Sequence, residues 1–186
     1  IPTSVAIAIA TEVGIDDVSI QTALKCFQGI DRRLQVIGDL PVRGGRATVV
    51  DDYGHHPTEI AATMDAVRQG WPNRRIVLAF QPHRYTRTRD LLDDFADVLS
   101  RTDVLLVTEV YAAGEEAIHE ADGRAICRAI RTRGLVEPIF VPKVELLDEV
   151  LSSVIRPDDV IVTMGAGNIG SISHELPARL GARSAS

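Results

Sequence analysis

The chain has 186 residues, of which 45% are apolar and 25% charged, a balance typical of a folded globular domain. Its formal net charge of −6 argues against nucleic acid as a main partner, because proteins that bind nucleic acid usually carry a basic excess. No apolar run approaches the roughly 20 residues that span a bilayer, so we expect no membrane partner. We expect a core of Val, Ile, Leu and Ala, because aromatic residues make up only 4%.

The two cysteines, Cys26 and Cys127, lie far apart and lack metal-ligand spacing, so we expect two reduced, buried thiols in a cytoplasmic protein. The sequence begins at Ile1 inside a helical pattern, which suggests a piece of a longer protein. Residues 1–27 predict two short helices, the first ended by Gly14 and the second capped by Asp16 or Asp17. We expect this pair to be the tail of a preceding domain, joined to the rest through 28–31.

The remainder begins with a hairpin-like pair of strands and then alternates helices with strands. The hairpin strands are expected at 34–40 and 47–50, with a Pro- and Gly-containing turn at 41–46. The alternation predicts an α/β, Rossmann-like, mostly parallel sheet with helices on both faces. Helices are predicted at 57–69, 88–99, 123–133, 144–155 and 169–180, strands at 76–80, 104–107, 138–141 and 160–163, and a frayed tail at 183–186.

Ligands of open α/β sheets bind at the carboxyl ends of the strands, so the loops after the strands are the places to look for a site. The loop after the second strand reads DDYGHHPTE over 51–59, with two carboxylates, a phenol and two imidazoles in its first six residues. In a purely structural interpretation, one aspartate caps the following helix and both histidines are solvated. Such a dense cluster favours a functional site.

The loop after the strand at 76–80 reads QPHRYTRTR over 81–89. Three arginines and one histidine within seven residues favour anion binding, because a guanidinium recognises a carboxylate or phosphate with a fixed fork of donors. The competing interpretation is a solvated basic loop paired with Asp90, Asp93 and Asp94. Thr88 is expected to cap the following helix.

A third loop, GAGNIG at 165–170, fits the GxGxxG pattern but follows the last predicted strand instead of the first. A dinucleotide site requires the pattern after the first strand, with an acidic residue about twenty positions later. We therefore interpret it as a tight turn with close backbone packing.

The segments DDYGHHPTE and QPHRYTRTRDL closely resemble the C-terminal domain of the Mur ligases, and among these enzymes the member that adds L-alanine. The resemblance extends through 29–33, EVYAAGE at 109–115 and GAGN at 165–168, and covers nearly the whole chain. It implies a Rossmann-like C-terminal domain over 29–186. Residues 1–28 would then be the last helices of the central ATP-binding domain.

The family joins the carboxylate of a UDP-sugar to an amino acid or peptide, with ATP, through an acyl phosphate. By position, the resemblance implies that Asp52 holds the ATP ribose and that Arg33 reaches the nucleotide phosphates. The implied pocket for L-alanine consists of Tyr53, His55, His83, Arg84 and Arg87.

The resemblance also implies ATP and Mg²⁺ as cofactors and L-alanine and UDP-N-acetylmuramate as substrates. The phosphate loop, the Mg²⁺ ligands and the UDP-binding domain of the family have no counterpart in these residues. We therefore expect no metal ligand and no complete catalytic centre in this chain, which would be inactive by itself. Its expected partners include N-terminal and central domains of its own.

Three alternatives stay open at this point. A ligase that recycles murein tripeptide shares the aspartate and histidine theme, although its arginine loop would differ. A metallohydrolase would use Asp51, Asp52, His55 and His56 as metal ligands. A non-catalytic module would bind a nucleotide or another anion tightly without its neighbours.

Overall fold

The computed structural model describes residues 3–27 and 30–184, with side chains described as far as residue 181. It divides into two compact units, with the boundary between Asp31 and Arg32. The predicted joint at Gln28 and Gly29 and the end of the predicted tail, 185–186, lie outside the described residues.

The smaller unit contains the two predicted helices, α1 (Thr3–Glu12) and α2 (Asp17–Cys26). Asp16 caps α2, because its carboxylate accepts the backbone N–H of Ser19 at 2.9 Å. Cys26 is exposed and Cys127 is buried, so the expectation of two buried thiols is wrong for Cys26.

The larger unit is built on one six-stranded sheet in the order β1-β2-β6-β3-β4-β5. Only the β1–β2 pair is antiparallel, and the other four pairs are parallel. The central strands β3 and β6 are buried at every residue, which is why β3 appears in the sequence as a continuous apolar run and β6 is apolar except for Thr163. The strands are β1 (Gln35–Val42), β2 (Gly45–Asp52), β3 (Ile76–Phe80), β4 (Val104–Thr108), β5 (Ile139–Val141) and β6 (Val160–Met164).

Helices cover both faces of this sheet, which confirms the predicted fold class. Side chains of α3, α5 and α6 form one apolar core against the sheet, and those of α7 and α8 form a second core on the opposite face. A short 3₁₀ turn at Val144–Leu146 precedes α7. The helices are α3 (Pro57–Gly70), α4 (Tyr85–Asp90), α5 (Leu92–Leu99), α6 (Gly123–Arg133), α7 (Leu147–Val154) and α8 (Ile169–Ser184).

The first two strands are longer than the sequence predicts. Pro41 was expected in the turn but lies in β1 opposite Arg46. Proline is tolerated there because β1 is an edge strand, where one missing N–H leaves no gap in the ladder. At its other end β2 runs through Asp51 and Asp52, so both aspartates belong to the strand and not to the loop after it.

The predicted helix at 88–99 is two helices, separated at Leu91, whose φ of −119° and ψ of 23° are not helical. The first of them, α4, begins at Tyr85, within the basic segment. Thr88 is therefore not a cap. It lies inside α4, and its hydroxyl donates to the carbonyl of Arg84 at 3.0 Å.

Candidate functional site

The register of the central strands brings the three loops noted in the sequence to one place. Asp52 at the end of β2 is paired with Met164 at the end of β6, and Met164 is paired with Phe80 at the end of β3. The chain segments that leave these three strands are therefore immediate neighbours at the carboxyl edge of the sheet. This edge is where ligands bind in open α/β folds.

A buried ion pair holds this edge together. Asp51 has no exposed surface, and its carboxylate accepts Nε of Arg32 at 2.7 Å and the hydroxyl of Thr163 at 2.7 Å. The same guanidinium donates through Nη2 to the carbonyl of Gly165 at 2.6 Å. Arg32 thereby joins the segment before β1 to the ends of β2 and β6. Sequence reasoning assigned it no role, because its partners are distant along the chain.

Asp52, the aspartate predicted to hold a ribose, is also buried, with 4% of its surface exposed. Its Oδ2 accepts the N–H of Leu34 at 2.8 Å, and its Oδ1 accepts the N–H of Gly54 at 2.7 Å. Each carboxylate oxygen can accept a second hydrogen bond, so these contacts leave acceptor capacity for a ligand hydroxyl. In this structure, Asp52 anchors the start of β1 and the loop after β2.

The helix after this loop begins with a histidine cap. His56 is the N-cap of α3 and forms a capping box with Glu59, so the interpretation of an aspartate cap is wrong. Glu59 accepts the N–H groups of His55 at 2.9 Å and His56 at 3.2 Å. Burial opposes ionisation of Glu59, but the hydrogen bond from the His55 N–H and the nearby His55 ring outweigh it and lower the pKa of Glu59.

Four rings from three strand ends form a continuous row. The Tyr53 and His55 ring centroids are 5.5 Å apart, and those of His55 and His83 are also 5.5 Å apart. His83 then stacks on Tyr111, with centroids 5.6 Å apart and an angle of 15° between the planes. The guanidinium of Arg33 lies 5.5 Å from the centroid of Tyr53, at the other end of the row.

The two arginines predicted to bind a carboxylate lie beside this row. Arg87 donates through Nη1 to the carbonyl of His83 at 3.3 Å, and this nitrogen lies 3.5 Å from His83 Nδ1. Half of the Arg84 side chain is exposed, and its nearest carboxylate, that of Glu115, is 3.8 Å away. Burial, followed by the nearby His55, Arg87 and Arg84, lowers the pKa of His83. The lowered pKa favours the neutral imidazole of His83 at pH 7, so Arg84 and Arg87 carry the positive charge next to it.

Arg84 is held in an unusual backbone conformation, with φ of 73° and ψ of 135°. This part of conformational space is costly for any residue with a Cβ. The conformation is fixed on both sides: the N–H of Arg84 donates to Tyr111 at 2.9 Å, and its carbonyl accepts the N–H of Thr88 at 3.1 Å. Strain of this kind tends to occur at functional sites, and here the backbone conformation determines the direction of the Arg84 side chain.

Glu115 fixes the start of α4. Its carboxylate accepts the N–H of Thr86 at 3.0 Å and the hydroxyl of Thr86 at 2.7 Å. The hydrogen bond from the backbone of Thr86 is the main reason that the pKa of Glu115 lies below its ordinary value. By contrast, Arg89 pairs with its exposed neighbour Asp90 at 2.8 Å. For this arginine, the alternative of a solvated basic loop paired with nearby aspartates is therefore correct.

The loop at 165–170 is a tightly packed turn, as predicted. Gln81 spans it, donating to Asn168 Oδ1 at 2.8 Å and accepting the N–H of Ile169 at 3.0 Å. A Cβ added to Gly165 would lie 2.6 Å from the carbonyl of Gln81, and one added to Gly167 would lie 2.7 Å from Tyr111 Cβ. Glycine is therefore required at both positions by close approach.

The described residues offer no group of three or more His, Cys, Asp or Glu side chains placed to hold a metal ion. Asp51 and Asp52, two of the residues considered for a metal site, are both occupied by protein donors. In the part of the chain that is described, no helix has both the length and the apolar character needed to cross a membrane.

The chain is similar to proteins of one known family. Residues 32–167 match the model of the Mur ligase glutamate ligase domain, and the chain belongs to the Mur ligase family. The chain is 54% identical over 176 residues to a UDP-N-acetylmuramate–L-alanine ligase of Methylococcus capsulatus and 58% identical over 172 residues to one of Burkholderia multivorans. These matches cover 95% and 92% of this chain but only 37% of each relative.

Solved structures agree on the fold. The UDP-N-acetylmuramate–alanine ligase of Thermotoga maritima superposes with a TM-score of 0.77 at 30% identity, covering 95% of this chain and 36% of that one. A murein peptide ligase of Psychrobacter arcticus gives a TM-score of 0.67 at 24% identity, covering 96% of this chain and 36% of that one. The second likeness concerns the fold alone.

Proposed function

We propose that this chain is the acceptor-binding part of an ATP-dependent ligase that joins L-alanine to UDP-N-acetylmuramate in peptidoglycan precursor synthesis. One structural observation carries the proposal: His83, which follows β3 together with Arg84 and Arg87, meets His55, which lies against Tyr53 after β2. The names of the relatives at 54% and 58% identity support the same reaction.

In this proposal Arg84 and Arg87 bind the carboxylate of L-alanine. Arg84 directly precedes α4 and Arg87 lies in its first turn, and besides burial and His55 the charges of both arginines lower the pKa of His83. Two guanidiniums and a neutral His83 bind a carboxylate without attracting the cationic form of the amine. The amine is then free to lose its proton and act as a nucleophile. Tyr53 and His55 line the sides of the pocket.

The reaction proposed for the whole enzyme is nucleophilic acyl substitution. The carboxylate of UDP-N-acetylmuramate first takes the γ-phosphoryl group of ATP, which gives an acyl phosphate and ADP. The amine of L-alanine then forms the C–N bond, the C–O bond to phosphate breaks, and the amine proton is released. This chain contributes by orienting the nucleophile, an effect that can supply several kcal/mol of rate acceleration.

The contacts to ATP proposed for this chain are few. Asp52 would accept a ribose hydroxyl with its remaining acceptor capacity, and Arg33, exposed beside Tyr53, would reach a phosphate. Because the phosphate loop and Mg²⁺ ligands would lie in the central domain, we expect the isolated chain to be inactive. In this proposal residues 1–28 belong to the central domain and 29–186 to the C-terminal one, and the enzyme works in the cytoplasm.

The deciding assay measures phosphate release by the full-length protein with ATP, Mg²⁺ and UDP-N-acetylmuramate, adding L-alanine, murein tripeptide or no acceptor. We expect release only with L-alanine, and a raised KM for L-alanine in Arg84→Ala and Arg87→Ala. Arg89→Ala is the matched control, because this arginine is exposed and paired with Asp90. Release with tripeptide alone would transfer the proposal to a recycling ligase, and no acceptor dependence would reject both.

A further inference from the structure

Tyr111 forms one end of the ring row, where its phenol stacks on His83. It comes from the segment after β4, a different element from those that supply the five proposed pocket residues. Its ring therefore lies directly against the proposed L-alanine pocket without belonging to it.

Tyr111 also lines a second cavity of about 230 Å³ at the carboxyl edge of the sheet. Among the described residues, His83 does not line this cavity, whereas Tyr111 both lines it and stacks on His83. The polar lining of the cavity comprises Gln81, Glu109, Tyr111, Lys143, Glu145 and Asn168.

The backbone of Tyr111 is held too firmly for the ring to move aside with it. Its N–H donates to the carbonyl of Pro82 at 2.8 Å, and its carbonyl accepts the N–H of Arg84 at 2.9 Å. Behind it, the turn at Gly167 comes so close that a Cβ there would lie 2.7 Å from Tyr111 Cβ. Only rotation of the side chain, or its removal, can open a path to the cavity.

We propose that Tyr111 is a specificity-determining residue that closes the amino-acid pocket towards this cavity and restricts the acceptor to a small side chain. The inference rests on the proposed function. Without the ring, the cavity would accept a longer, uncharged polar side chain. The lining carries charges of both signs, one cation at Lys143 and two anions at Glu109 and Glu145, so it disfavours an anionic side chain. Its neutral polar groups are the amides of Gln81 and Asn168, which are hydrogen-bonded to each other.

The test compares the full-length wild type, Tyr111→Ala and Tyr111→Phe with L-alanine and L-glutamine as acceptors. We expect Tyr111→Ala to raise the kcat/KM of L-glutamine relative to that of L-alanine by roughly tenfold or more, a discrimination that small differences in pocket size can carry. Tyr111→Phe keeps the ring and should retain the wild-type preference. An unchanged ratio in Tyr111→Ala, with activity present, would overturn the proposal.

Two further outcomes separate the possible causes of failure. If the wild type shows no release dependent on L-alanine, the proposed function fails and this inference fails with it. If Tyr111→Ala is inactive with both acceptors or melts early, Tyr111→Leu decides, because it keeps an apolar group over His83. A Tyr111→Leu variant that melts normally but is inactive with both acceptors, or that keeps the wild-type ratio, would also overturn the proposal.

Discussion

Arg32 binds Asp51 through its side chain, Nε to Oδ2 at 2.7 Å, and Tyr53 through its backbone, whose carbonyl accepts the Tyr53 N–H at 2.7 Å. One residue thus fixes both the buried end of β2 and the first residue of the loop that follows it. The ion pair is enclosed, since Asp51 is buried and the Arg32 side chain is 17% exposed. A site that must hold its rings and guanidiniums in place gains rigidity from such an anchor.

Arg32→Ala is expected to lower the free energy of unfolding by about 3–5 kcal/mol, because it leaves the Asp51 carboxylate buried without its cation. Urea unfolding of the chain, followed by circular dichroism, measures this loss. Arg46→Ala is the control, because its pair with Asp39 is 3.6 Å long and exposed, and such pairs contribute about 1 kcal/mol or less. Similar losses in the two variants would contradict the anchoring role of Arg32.

Arg84→Gly separates stability from binding. Glycine has no Cβ to strain at φ of 73°, so we expect the free energy of unfolding of Arg84→Gly to exceed that of Arg84→Ala by about 1 kcal/mol. Its urea midpoint should be higher accordingly. Both variants lack the guanidinium and should show the same raised KM for L-alanine in the full-length enzyme. A glycine variant less stable than the alanine variant would show that the backbone of Arg84 is not strained.

His83 predicts a dependence of stability on pH. Its pKa is lowered in the folded chain, chiefly by burial, so below the ordinary imidazole pKa of about 6.5 the unfolded chain takes up a proton more readily than the folded one. This difference favours the unfolded state as the pH falls from 7 towards 5. We expect His83→Gln, which cannot titrate, to lose less stability than the wild type over that range.

The comparison is made by urea unfolding at pH 8, 7, 6 and 5. His119→Gln serves as the control, because it replaces an exposed histidine that lies outside the candidate site. Parallel pH profiles for the wild type and His83→Gln would argue against a lowered pKa of His83.

The two thiols are expected to react very differently with iodoacetamide at pH 8. Burial raises the pKa of Cys127 to about 11, and the thiolate is the reactive form, whereas Cys26 is exposed. Mass spectrometry of the folded chain should show modification at Cys26 only, and of the urea-unfolded chain at both cysteines. Rapid modification of Cys127 without denaturant would mean that the core around α6 opens readily.

The parts of the fold that were predictable are those governed by short-range patterns. The apolar run at 76–80 indicates a central strand because both of its faces are covered, and Gly134 ends α6 in the left-handed conformation that glycine favours. The proximity of the loops after β2 and β3 followed from the rule that parallel strands share a carboxyl edge.

The features that could not be predicted depend on partners distant in sequence. Arg32 gave no signal because its acceptors are 19 and 133 positions away. The early start of α4 goes with the hydrogen bonds between Glu115 and Thr86, 29 positions apart, which helix propensity does not encode. Nothing in the structure explains the break at Leu91. Tyr111 belongs to the segment 109–115 that resembles the family, but its stacking on His83 depends on two separate strand ends meeting in the fold.

The position of β6 has a consequence for how the chain reaches its folded state. This strand comes last in the described chain, yet it is inserted between β2 and β3 and is parallel to both. Until it arrives, the earlier strands cannot close into one sheet, and Asp51 lacks the hydroxyl of Thr163. Contacts of such wide sequence separation make folding slow, since loop closure precedes any gain from pairing. The carboxyl edge that carries the candidate site is therefore complete only once β6 has been made and has paired with β2 and β3.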